Sequence, residues 1–276
     1  MVQKLAANPR KGYVAESLGT VLLQGLSTVA PIPGISEDVG IDLVATLLRQ
    51  QKSTLYAEDS FTVQIKSKSI REIEYTGEQV DWLLSLELPF FIGSVDLEAA
   101  RIDLYACHRL AQAAIENAEY KTVVLDLESR DEAKDGPEDG RKLCVGPPVL
   151  SWTVNDMSDK DFVRNAYKVL KPHLQTYRRN LEFCRCGRCE ILAWKTGDVP
   201  KLSDVRMRSG EFSEGVQSAM NLAMPYISAC LLEFNGTGQL DAYDALREAV
   251  EQMQEIGADR DPLIEAIDGM RQKKTS

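Results

Sequence analysis

Histidine is almost missing from this chain: His108 and His173 are the only two among 276 residues. Catalysis that relies on imidazole acid–base chemistry therefore has little to work with. No apolar run is long enough to span a bilayer, and the opening MVQKLAANPRKGYVAES lacks the apolar stretch of a secretory signal. A cytoplasmic protein with no membrane segment is the expectation. The glycine-rich GxxxxGK[ST] loop is absent, which argues against nucleotide hydrolysis by the P-loop route, and no internal repeat is visible. Net positive charge is lacking too: the formal charge is −10, so bulk attraction to nucleic acid is not how this chain works.

What is present is a spaced set of polar residues in the first quarter of the chain. Residues 38–66 read as a strand carrying Asp42, a turn-rich connection, and a second strand bearing Gln64 and Lys66. Side chains alternate along a strand, so Gln64 and Lys66 share a face, with Val63 and Ile65 opposite. If 40–47 pairs with 61–67, Asp42 reaches the same sheet edge. Upstream, residues 13–26 place Val14, Leu18, Val21 and Leu22 at helical spacing, with Glu16 near the helix start. Metal-assisted phosphodiester cleavage needs a carboxylate to anchor the ion, a second oxygen ligand, and a cation near the attacking water. Asp42, Gln64 and Lys66 are of those types, and Glu16 offers a third oxygen. Each also has an ordinary reading, as a solvated helix or sheet residue. Their order carries the functional one: helix with Glu, GxD strand, QxK strand, then a helix over 76–87.

In this order the residues resemble the PD-(D/E)xK nuclease superfamily, and within it the Mrr-like branch. There an aspartate preceded by a glycine and a second aspartate (here Asp38, Gly40, Asp42) is followed by Gln-x-Lys instead of Glu-x-Lys. The chain is also similar to small bacterial effector nucleases long catalogued as a domain of unknown function. The resemblance covers about the first 110 residues. It implies an α/β fold with a restriction-endonuclease-like core of helix, mixed sheet and helix. It further implies Mg2+ or Mn2+ held by Asp42, Gln64 and Glu16, with Lys66 beside the attacking water. DNA is the implied substrate, RNA remaining open. A partner such as an ATPase or sensor would control an anti-phage effector of this kind, and paired-strand cleavage would favour a homo-oligomer. Gln64 is neutral where most members carry a carboxylate. A catalytically inactive scaffold or regulatory subunit, binding nucleic acid or a partner, is therefore the alternative.

Downstream, TGEQVDWLLSLELP reads as a helix ended by Pro89, PFFIGSVD as a buried strand, and RIDLYACHRL as a further strand or strand-to-helix passage. Residues 128–150 are charged and rich in Gly and Pro, which predicts a linker between a nuclease domain at 1–127 and a mostly helical domain at 151–276. Ser158 is placed to cap a helix running to about residue 182, with Pro172 kinking or dividing it. Three further helical runs follow, over 214–234, 240–256 and 262–272. The segment 160–210 is locally basic and interleaved with Tyr167, Tyr177 and Trp194. Arg178 and Arg179, with Lys68 near the motif, are the candidate nucleic-acid contacts. Cys184, Cys186 and Cys189 crowd into CRCGRC; a structural Zn2+ there wants a fourth ligand, so a reduced connector is preferred over a zinc site.

Overall fold

The computed structural model describes residues 9–32, 40–51, 54–116, 121–127, 142–184 and 187–207. The helical runs expected beyond residue 207 lie outside these residues, as do Asp38 and Cys186. Contacts divide the chain into two units, Met1–Cys184 with Cys189–Arg206, and Arg185–Arg188 with Met207–Ser276. The first is a mixed α/β unit. It extends past the linker suggested by composition, because residues 142–184 supply two strands and a long helix to it.

Helix α1 (Pro9–Gln24) leads into strands β1 (Ser27–Pro31), β2 (Leu43–Gln51) and β3 (Thr54–Ser67). These pair antiparallel in sequence order. Strand β4 (Glu72–Thr76) and helix α2 (Glu78–Leu84) then carry the chain over to β5 (Phe90–Asp96), which runs parallel to β3. A hairpin returns as β6 (Arg101–Ala106). After α3 (Leu110–Glu116), β7 (Thr122–Asp126) and β8 (Lys142–Cys144), strand β9 (Leu150–Thr153) pairs with β6. The main sheet is thus ordered β1-β2-β3-β5-β6-β9, and a second, smaller sheet is ordered β4-β7-β8. The helix expected over 76–87 is present only as α2. The residues ahead of it are a strand because Ile73 and Tyr75 alternate with exposed Glu72, Glu74 and Thr76.

Helix α1 covers one face of the main sheet, but not with the stripe its valines suggest. Val14 and Val21 are exposed, and the buried side is Ala15, Leu22 and Leu23 with Gly19. Small residues let the helix approach closely: a Cβ on Gly19 would stand 3.0 Å from Ile65 and 3.1 Å from Val95. The Trp152 indole N–H donates to the Leu22 carbonyl at 3.0 Å, tying β9 to the end of this helix. Burying an indole of this size contributes on the order of 3 kcal/mol.

Helix α4 (Lys160–Cys184) buries Ala166, Val169, Leu170, His173, Leu174, Tyr177 and Asn180, spacings of three and four that make one stripe. Its start is capped by Asp159, whose carboxylate accepts the Asp161 amide at 2.8 Å, instead of by Ser158, which ends a short 3-10 turn at Asp156–Ser158. Pro172 sits inside the helix without ending it. Strands β10 (Arg188–Ala193) and β11 (Lys201–Met207) form a separate two-stranded ribbon. Among the described residues no helix is long and apolar enough to cross a membrane.

Candidate functional site

Asp42 stands one residue before β2, where the chain leaves the ladder. Its amide still donates to the Val63 carbonyl at 3.0 Å, and its carbonyl accepts from Ile32 at 2.9 Å. Its carboxylate Oδ2 accepts the main-chain N–H of Ile65, standing in for the ladder acceptor that β2 no longer provides. Ile65 is the residue between Gln64 and Lys66. The Asp42 carboxylate is therefore fixed beside the QxK pair by a charge-assisted bond to the backbone of the motif itself.

The glycine of GxD has a steric role. Gly40 adopts φ +76°, and a Cβ there would stand 2.7 Å from the Trp82 ring of α2. The helix after the QxK strand thus packs against the turn that delivers Asp42.

Because Ile65 packs under α1, Gln64 and Lys66 project from the opposite face of β3. Gln64 is not the half-exposed sheet residue its polarity suggests; it is 2% exposed. The smaller sheet covers it, and Tyr75 of β4 donates its hydroxyl to Gln64 Oε1 at 2.7 Å. Burying an amide without a partner costs about 1–3 kcal/mol, and this bond offsets that cost. A tyrosine hydroxyl accepts as readily as it donates, so turning the amide over would keep the bond and free the carbonyl oxygen. Lys66 is half-buried at the margin of the same face.

Glu16 is placed differently. It is exposed on α1, whose Gly19 rests on the Ile65 and Val95 side of the sheet. Among the described residues no contact joins its carboxylate to Asp42, Gln64 or Lys66. No group of three or more His, Cys, Asp or Glu side chains converges as a metal-holding cluster among those residues. An ion here would have to use one carboxylate and one amide oxygen. Such a set suits a hard cation whose shell is completed by water and substrate phosphate.

The three expected nucleic-acid contacts are engaged within the protein. Lys68 Nζ lies 2.7 Å from Asp96, which also accepts the Glu98 and Ala99 amides. The Lys68 ammonium and the Ala99 amide hold the Asp96 carboxyl below its ordinary range. Arg178 bonds Asp59 at 2.5 Å, and Arg179 forks onto one Glu190 oxygen at 2.5 and 3.1 Å. Tyr177 and Trp194 are buried, so neither offers a face to a base.

Cys189 is fully buried in a small apolar cluster with Ala111, Ile115 and Ile191. Cys184 packs against it and directs its thiol to the Ala111 carbonyl at 3.3 Å. These two cysteines pack as small apolar side chains.

Sequence reasoning missed the pairing of the two histidines. His108 Nε2 and His173 Nδ1 are 3.1 Å apart, the rings stack, and Trp194 and Tyr177 close around them. Burial pushes both imidazoles down, His173 to about 4, so the pair is neutral at pH 7. No local signal announces this contact, since 65 residues separate its members. No family model, curated protein or solved structure matches the chain.

Proposed function

We propose that the chain is a metal-dependent nuclease of the PD-(D/E)xK type, with the Gln-x-Lys variant of the Mrr-like branch and a restriction-endonuclease-like core. The observation that carries this reading is the hydrogen bond from the Ile65 amide to the Asp42 carboxylate, which fixes an acid beside Gln64 and Lys66. Helix, antiparallel hairpin and crossover to a parallel strand are compatible with it. Asp42 and the Gln64 carbonyl would hold Mg2+ or Mn2+, which polarises a phosphodiester and lowers the pKa of bound water. Lys66 would stabilise charge at the attacking or leaving oxygen. Glu16, expected as the third oxygen, would have to reach around the end of the sheet. Glu16→Gln should therefore cost less activity than Asp42→Ala. DNA is the proposed substrate, with RNA as the comparison arm. The proposed role is that of an antiviral effector directed by a partner protein.

The test is a cleavage assay on plasmid, single-stranded DNA and RNA with Mg2+ or Mn2+, with and without the product of the neighbouring gene. Activity in the wild type that disappears in both Asp42→Ala and Lys66→Ala supports the proposal. Equal background in all three chains, with the neighbour present, rejects it. One observation favours a second reading, a nuclease-like scaffold that only binds. Gln64 brings no charge, lies buried, and already serves Tyr75.

A further inference from the structure

The register of the main sheet builds a row of polar residues that no motif announces. Lys66 pairs with Ser94, Ser94 with Asp103, and Asp103 with Ser151, all on the face away from α1. Beyond Lys66 this row forms the floor of a cavity of about 570 Å3. Its walls come from separate segments: the turn after β3 with Lys68 and Arg71, the end of β7 with Leu127, and the turn after β10 with Thr196. Tyr105 also lines it.

The chemistry of the lining is cationic and hydroxylic. Arg71, Arg101 and Lys68 face one lining carboxylate, Asp103, and a second acid, Asp96, holds Lys68 at the rim. Arg101 Nη2 donates to Asp103 at 3.2 Å, while its Nε is buried with no acceptor among the described residues. A buried N–H without an acceptor is destabilising, and an acceptor oxygen reaching it would relieve that cost. Asp103 is 8% exposed and oriented by that arginine, so it remains an acceptor for ligand hydroxyl or amino groups. Burial and the neighbouring Asp103 push Tyr105 up to about 12, so it stays a neutral hydroxyl.

We propose that this cavity binds a nucleotide through a terminal phosphate. Arginine forks match phosphate oxygens, Ser94 and Ser151 add neutral donors, and Asp103 accepts from a sugar hydroxyl or a base amino group. The volume falls in the range of small-molecule sites, roughly 300–1,000 Å3. A cavity walled by several segments suits a free nucleotide or a strand end better than a strand passing through. The proposal stands on the cavity and does not rest on the nuclease reading.

The experiment is calorimetric titration of the full chain in EDTA with AMP, adenosine, inorganic phosphate, and short oligonucleotides bearing a 5′-phosphate or a 5′-hydroxyl. AMP or the 5′-phosphorylated oligonucleotide should bind measurably more tightly than its phosphate-free counterpart. Preference for AMP identifies a free nucleotide, and preference for the oligonucleotide identifies a strand end. The double variant Arg101→Gln/Asp103→Asn, which leaves no lone buried charge, should weaken binding roughly tenfold or more. If that variant fails to fold, exposed Arg71→Gln should weaken it severalfold. Absence of phosphate-dependent binding, or undiminished affinity in a folded Arg101 or Arg71 variant, overturns the proposal.

Discussion

The two groups of cations in this unit are used in opposite ways. On α4, each of Lys171, Arg178 and Arg179 meets its own carboxylate: Glu58, Asp59 and Glu190 respectively. Tyr167 adds its hydroxyl to Glu58 at 2.7 Å, and Arg49 closes on the same acid. Lys171 and Arg178 fasten the helix to β3, and Arg179 fastens it to β10. On the sheet face, Arg71 and Arg101 line the polar cavity beyond Lys66, and Arg101 keeps its Nε–H without an acceptor among the described residues. The basic segment that stood out by composition is mostly a fastening. The scattered lysine and arginines that composition did not single out lie instead on the sheet face, where Arg101 orients Asp103. Local charge counts therefore say little about availability until the partner of each cation is known.

Substitutions can break this contrast. The largest effect is expected at Lys66 and Asp42, where alanine should lower the proposed metal-dependent cleavage by roughly 10²-fold or more. A smaller effect tests how Gln64 is held. Tyr75→Phe leaves the buried amide without its hydroxyl partner, and urea unfolding should register a loss of about 1–3 kcal/mol. Smaller again is the outcome on α4. Arg178→Ala and Arg179→Ala should leave the salt dependence of nucleic-acid binding unchanged, since a cation neutralised by protein releases few counterions. A steeper loss than that of Arg71→Gln would reverse the assignment of roles.

The weakest expected effect is a pH dependence. The Lys171 and Tyr167 hydrogen bonds hold the Glu58 carboxyl down to about 2, from an ordinary value of 4.5. A carboxyl with a depressed folded-state pKa contributes stability above its unfolded value and loses it as pH falls. The contribution of Glu58 should therefore fade between about pH 4.5 and 2. Urea midpoints measured across that window should fall less steeply in Lys171→Met than in the wild type.

The main sheet was legible because its strands announce themselves locally. Alternation along 61–67 and the apolar run 90–95 give β3 and β5, and the two polar residues of QxK fall on one face by parity alone. The smaller sheet was not legible. Its strands come from 72–76, 122–126 and 142–144, the last inside the stretch 128–150 that composition marks as a linker. Lys142 of β8 bonds both Glu72 of β4 and Asp126 of β7, a contact that no window of sequence contains. That layer is what buries Gln64. The sequence therefore indicates the side on which the amide lies, while tertiary pairing decides that it is covered. The same holds for α4, whose period was readable but whose attachment to Glu58 and Asp59 depends on a strand over 100 residues earlier.

The turn at Gly40 links motif geometry to mutational tolerance. With the Trp82 ring where a β-carbon would go and a left-handed backbone besides, alanine at position 40 meets two penalties at once. The indole is rooted in α2, which also packs into the core through Val80 and Leu83. Relief would come from the lighter partner, the turn, sliding outward and carrying the following carboxylate off the Ile65 amide. In a saturation library at this codon, survivors selected for folding alone should be more diverse than survivors selected for chemistry. The gap between those two sets would measure how far positioning, and not stability, is what the glycine protects.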